Sequence, residues 1–167
     1  MLALRGERQG MTRFGTILVA TDGSDDSDAA VEAALDLAHD TNGRLLVLSV
    51  VPEASGDGSE EGAGSDADAE PPARDEDEEV IEANDLTNDV VDHALEWGIE
   101  ATPLVWEGEP ADAILAAAES EGADVIVIGS SDKSGVGRML MGSVSDDVIR
   151  RAPVPVMVVR APRERED

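Results

Sequence analysis

Two short polar stretches hold the residue types able to do chemistry in this chain. Each follows directly on an apolar run. The first is Thr21-Asp22-Gly23-Ser24, after Ile17-Leu18-Val19-Ala20. The second runs from Gly129 through Ser130, Ser131, Asp132, Lys133, Ser134, Gly135, Val136 and Gly137 to Gly142 and Ser143, after Val125-Ile126-Val127-Ile128. A buried strand that ends in a glycine-bearing loop and then opens a helix points backbone N–H groups at an anion such as phosphate. That is chemistry of binding. No positioned nucleophile–base pair and no acid–base dyad occurs along the sequence. Cysteine is absent, which excludes disulfides, thiolate metal sites and cysteine nucleophiles. His39 and His93 fall in different predicted helices without the spacing of a metal site, and are read as surface residues. Two common nucleotide signatures are missing. Gly137 to Ser143 has the glycine spacing of GxxxxGK[ST], but Ser143 stands where the lysine belongs. After Gly135 and Gly137 the next glycine is Gly142, so GxGxxG fails as well.

The elements that must position these loops are legible in the apolar pattern. Strands are predicted at Phe14–Ala20, Leu45–Val51, Ile99–Trp106, Val125–Ile128 and Val154–Val159. Pro103 places the third at a sheet edge. Helices are predicted from Asp25 to Asp40, with Asn42-Gly43 as the stop, and from about Glu79 to Gly98, with Val80, Asn84, Val91 and Leu95 as the inward stripe. A third opens at Gly108-Glu109-Pro110, and a fourth spans Ser143 to Arg151. The alternation β-α-β-α-β-α-β-α-β argues for an α/β parallel sheet with right-handed crossovers and helices on both faces. Ligands of such sheets sit at the carboxyl ends of the strands where the strand order reverses. The loops after the first and fourth strands are therefore expected to face each other.

The 167 residues suit one domain, read as residues 13–160. Residues 1–12 are a disordered extension, with Met11 a second candidate start, and residues 161–167 are a charged tail. Residues 53–78 contain only Glu, Asp, Gly, Ser, Ala, Pro and one Arg, and form a mobile acidic insertion. The formal net charge is −26, with one lysine and eleven arginines. So acidic a chain repels nucleic acid and anionic membranes. It suits a salt-rich cytoplasm, where the screening length falls to about 3 Å at molar salt, and points to a halophilic source. No apolar run is long enough to cross a bilayer, and the first residues lack the apolar core of a signal peptide.

Three ordered segments, ILVATDGSDDSDAAVEAALDLA, WEGEPADAIL and IVIGSSDKSGVGRMLMGSVSDDVIRRAPVPVMVVR, resemble the universal stress protein (UspA-like) family over nearly all of residues 13–160. The resemblance implies a five-stranded, Rossmann-like fold of the adenine nucleotide alpha hydrolase type, in strand order 3-2-1-4-5, and a homodimer paired through Val154–Val159. It implies a stress-linked sensor or regulator rather than an enzyme, with slow incidental ATP hydrolysis at most. One branch of the family binds ATP through G-x2-G-x9-G-[ST]. Gly129 matches the first glycine and Gly142-Ser143 the last pair, but the second glycine is Asp132.

By the same resemblance Thr21 and the Val50 backbone line an adenine pocket. Asp22 lies near ribose and base, or is simply a turn former. Gly129, Gly142, Ser143 and Val144 cradle ribose and phosphates. Asp132 leaves two outcomes open. Lys133, Arg138 and a bridging Mg²⁺ offset its charge and ATP binds, or the chain is a dimeric interaction module that binds no nucleotide. An enzyme of the related adenylating fold would carry an SGGxDS loop after its first strand. Thr21-Asp22-Gly23-Ser24-Asp25-Asp26 lacks the paired glycines.

Overall fold

The computed structural model describes residues 14–53, 76–130 and 143–162. Five parallel strands, β1 (Thr16–Ala20), β2 (Arg44–Val51), β3 (Ala101–Glu107), β4 (Val125–Gly129) and β5 (Val156–Val159), form one sheet in the order β3-β2-β1-β4-β5. Helices α1 (Asp25–Thr41), α2 (Glu76–Glu96), α3 (Pro110–Ser120) and α4 (Ser143–Arg151) supply the crossovers. The expected Rossmann-like α/β order is present. Strand alternation divides the core in two. Ile17, Val19, Leu45, Val47, Val125 and Val127 face α1 and α2. Leu18, Leu46, Leu48, Ile126 and Ile128 face α3 and α4. The three central strands are apolar on both faces because both are covered.

Helix α1 shows why the local sequence folds as it does. The Ser24 hydroxyl caps its start by accepting from the Ser27 N–H at 3.3 Å. Asp25, Asp26 and Asp28 lie in the first turn, where the dipole favours them. Asn42 ends the helix in the left-handed region at φ 51°, and the Gly43 N–H closes back on the Ala38 carbonyl at 3.0 Å. A side chain on Gly43 would meet the Phe14 carbonyl at 2.7 Å, so glycine is required there. Replacing Asn42 by Ala removes a residue that tolerates this conformation. It is expected to cost about 1 kcal/mol in urea unfolding.

Helix α2 and strand β5 differ from their sequence expectation. Helix α2 begins at Glu76, three residues before the expected Glu79. Its inward face is built from Ala83, Thr87 and Ala94, flanked by Val90 and Val91, whereas Asn84 and Leu95 are exposed. Small residues let the helix lie close on the sheet, and the buried Thr87 hydroxyl is satisfied by donating to the Ala83 carbonyl at 3.0 Å. Strand β5 starts at Val156, two residues later than expected. Pro153 and Pro155 lack the N–H a ladder needs, so Pro155 pairs only through its carbonyl, with the Ile126 N–H at 3.0 Å.

The sheet's two edges are unlike. On β3, Glu100 and Gly108 bond inward to Leu45 and Val51. By alternation, Pro103 turns its missing donor outward to solvent. On the other side β5 offers four residues, with Met157 exposed. Helices α3 and α4 are tied by Arg151 Nη1 to Asp112 Oδ1 at 2.7 Å, and the Asp112 carboxylate raises the Arg151 pKa above its ordinary value. No helix among the described residues is long and apolar enough to cross a membrane.

Candidate functional site

The strand order reverses between β1 and β4. Helix α1 leaves the end of β1 on one face, and α4 packs on the other, so a crevice opens over the two carboxyl ends. The described start of the second polar stretch, Gly129 and Ser130, lies there against Asp26 and Ser27, just after the first.

The β1 side is self-organised. The Thr21 N–H extends the ladder to the Leu48 carbonyl at 2.9 Å. Its buried hydroxyl lies 3.2 Å from the Ser27 hydroxyl and accepts from the Gly23 N–H at 3.3 Å. Thr21 therefore shapes the loop, and any contact it makes with a ligand comes from a side chain already engaged. Asp22 is exposed, and its Oδ1 accepts from the Ser24 N–H at 3.0 Å, closing a tight turn completed by Gly23 at φ 73°. The turn-forming role of Asp22 is thus present, and its position on the crevice rim leaves the binding role open to test.

Gly129, at the end of β4, is a packing glycine. A Cβ there would stand 2.6 Å from the Asp26 carbonyl carbon and 2.8 Å from the Ser27 nitrogen. The first turn of α1 lies directly against it, which only glycine permits. The next residue, Ser130, is buried. Its hydroxyl donates to Asp26 Oδ2 at 3.0 Å, and its N–H donates to the Val159 carbonyl at 2.8 Å. Asp26 Oδ1 in turn accepts from the Ala161 N–H at 2.7 Å.

Across the crevice, Ser143 is exposed at the first turn of α4 and Val144 is half-buried against the α3/α4 core. Val50, near the end of β2, is half-buried on the same face and stands opposite Trp106 of β3 in register. Asp132, Lys133, Arg138 and Gly142 lie outside the described residues, as does most of the acidic insertion. The structure therefore brings Thr21, Asp22 and Gly129 together at the first turn of α1, while Val50 and Val144 share the apolar cluster under α3 and α4 and Ser143 opens α4 beside Val144.

Sequence reasoning missed Asp26, Ser27, Ser130 and Trp106 as parts of this site. Only Gly129 gave a signal, since a glycine ending a buried strand often marks a close backbone approach.

The site can do two things. Half-buried apolar groups on Val50, Trp106 and Val144 suit a flat, weakly polar ring. The α4 N-terminus, with an exposed hydroxyl and one acid (Asp146) in its first turn, suits an anion. The α1 N-terminus, with three aspartates, does not. Among the described residues no three His, Cys, Asp or Glu side chains gather into a set able to hold a metal ion.

Known proteins share both the sequence pattern and the fold. A universal stress protein of Methanocaldococcus jannaschii is 32% identical over 157 residues, covering 94% of this chain and 88% of its own. One of Thermus aquaticus is 36% identical over 150 residues, covering 88% of this chain and 99% of its own. Among solved structures, the universal stress protein UspA of Lactobacillus plantarum superposes with a TM-score of 0.71 at 25% identity, covering 89% of this chain and 99% of that one. The universal stress protein of Archaeoglobus fulgidus in complex with dAMP gives 0.63 at 27% identity, covering 87% and 98%. The pattern of the universal stress protein family runs from residue 13 to residue 160. Spanning both polar loops and all five strands, that match means that the chain belongs to the universal stress protein family.

Proposed function

We propose that this protein binds an adenine nucleotide, ATP with Mg²⁺, in the crevice between the ends of β1 and β4, and acts as a stress-linked sensor or regulator rather than an enzyme. The observation that carries this is the pairing of an anion-suited α4 N-terminus with a half-buried apolar wall one to two strands away. The dAMP complex of the Archaeoglobus fulgidus relative supports it, because an adenine ring and a phosphate are what such a crevice fits. Phosphates belong at Ser143 and the α4 N-terminus, away from Asp25, Asp26 and Asp28. The base belongs toward Thr21 and Val50, with Asp22 at the ribose. Asp132 would hold Mg²⁺, which would neutralise phosphate charge, and Lys133 and Arg138 would offset the rest. Gly129 and Gly142 let the loop approach. A homodimer paired through β5 completes the assembly, and its acidic surface suits a salt-rich cytoplasm.

Asp132 favours one rival, an interaction module that binds no nucleotide. Calorimetric titration with ATP and Mg²⁺ in about 2–3 M KCl, which screens the acidic surface, separates the two. The wild type is expected to saturate, and Asp132→Gly to bind as well but with less dependence on Mg²⁺, since it lacks the carboxylate that would hold the ion. Trp106 gives a second readout. The other tryptophan, Trp97, lies at the far end of the sheet against His39 and His93, with ring centroids 6.2 and 5.6 Å away. In Trp97→Phe protein the Trp106 emission should therefore follow ATP with the calorimetric midpoint. Silence from the wild type with binding by Asp132→Gly would establish the rival.

A further inference from the structure

The Asp26 carboxylate joins three parts of the chain that are far apart in sequence. Its Oδ2 accepts from the Ser130 hydroxyl, the first residue of the glycine loop, at 3.0 Å. Its Oδ1 accepts from the Ala161 N–H, just past the end of β5, at 2.7 Å. Ser130 closes the triangle through its own N–H on the Val159 carbonyl at 2.8 Å. Beneath this, Gly129 holds the Asp26 backbone at contact distance. The start of the ligand loop and the exit of the edge strand therefore share one acceptor group.

We propose that Asp26 is a positioning residue that couples nucleotide seating in the crevice to ordering of the chain leaving β5. This rests on the nucleotide reading above. A ligand seated over the end of β4 fixes Ser130. A fixed Ser130 holds Asp26 in the orientation that also engages Ala161. The converse follows by linkage, because coupling between two sites is reciprocal in binding free energy. A carboxylate is needed because it accepts at both oxygens. An alanine accepts at neither, so Asp26→Ala breaks the links to Ser130 and Ala161 together, whereas an amide could donate to the Ser130 hydroxyl and still accept from Ala161.

The test is hydrogen exchange of the segment 156–162 in the full chain, in about 2–3 M KCl, with and without saturating ATP and Mg²⁺. In the wild type ATP should slow exchange at Ala161 by about five-fold or more, the lower range of coupled sites. In Asp26→Ala, which should still saturate at higher ATP, the slowing should vanish. A purely structural Asp26 would instead change exchange equally with and without ATP. Ala161→Pro removes the donor outside every helix and strand, and so does not depend on Asp26→Ala folding well. It should weaken ATP by the same factor by which ATP protects the wild type. ATP binding without slowing, or Ala161→Pro with unchanged affinity, overturns the coupling and leaves the nucleotide reading standing. Absence of ATP binding in the wild type overturns both.

Discussion

Replacing Gly129 by Ala should lower stability by about 2–3 kcal/mol, or roughly 5–10 °C in thermal midpoint for a domain of this size. It should also abolish or severely weaken ATP binding. The added methyl would press on the Asp26 carbonyl carbon at 2.6 Å, its oxygen at 2.7 Å and the Ser27 nitrogen at 2.8 Å. These are backbone atoms of a capped helix and cannot swing away as a side chain tip would. Relief requires α1 to withdraw from β4, which opens the crevice at the contact that joins its two loops. Gly122→Ala is the control. Its φ is 65°, but nothing lies within 4 Å of an added Cβ. Its cost should stay near the 1–2 kcal/mol of backbone strain, with nucleotide affinity intact. Thermal unfolding and ATP titration of the two variants side by side distinguish steric contact at the site from a general intolerance of lost glycines.

The second large effect should come from Leu18→Ala in the central strand. Leu18 has no exposed surface and packs among Leu46, Leu48, Ile126 and Ile128 under α3 and α4. Truncation there removes buried methyl groups and leaves a cavity between strands that cannot collapse, at a cost of about 3–5 kcal/mol in denaturant unfolding. Affinity for ATP should hold at temperatures where the variant stays folded, because Leu18 lies below the crevice floor rather than in it. Leu95→Ala makes the informative partner. Helical periodicity puts Leu95 on the inward stripe of α2, whereas the structure leaves it 58% exposed. A change within about 0.5 kcal/mol is expected for a surface position.

The contrast between Leu18 and Leu95 shows what the sequence made legible. The strands announced themselves as short apolar or alternating runs between turn residues, and Pro103 marked the edge. Pro110 opened α3 and Asn42-Gly43 closed α1 for local reasons. The face of α2 was not legible. Close approach to the sheet selects Ala83, Thr87 and Ala94, and apolar periodicity favours larger residues. The start of β5 was misread because apolar character outweighed the two prolines that interrupt its ladder.

At the site, Gly129 and Ser143 stood out through a motif. Their roles differ, however, since Gly129 serves first as the seat of a helix turn. Asp26 was read only as an acid suited to a helix dipole. Its partners lie 104 and 135 positions away, a distance no local pattern reports. Asp132, Lys133, Arg138 and Gly142 are readings of sequence and resemblance, and the titration of Asp132→Gly tests the first of them.

The unlike margins of the sheet carry a consequence for how many copies can join. Along β3, Pro103 interrupts the outward row of donors midway, so an added strand would lack a bond at its centre. Along β5 the four-residue row is uninterrupted. Extension is therefore possible from one side only. Two copies that meet there by a two-fold axis consume that side in both, and neither product face can recruit a third. The geometry permits a closed pair and blocks a growing ribbon, which lets a protein keep an apolar strand at its boundary without seeding fibres.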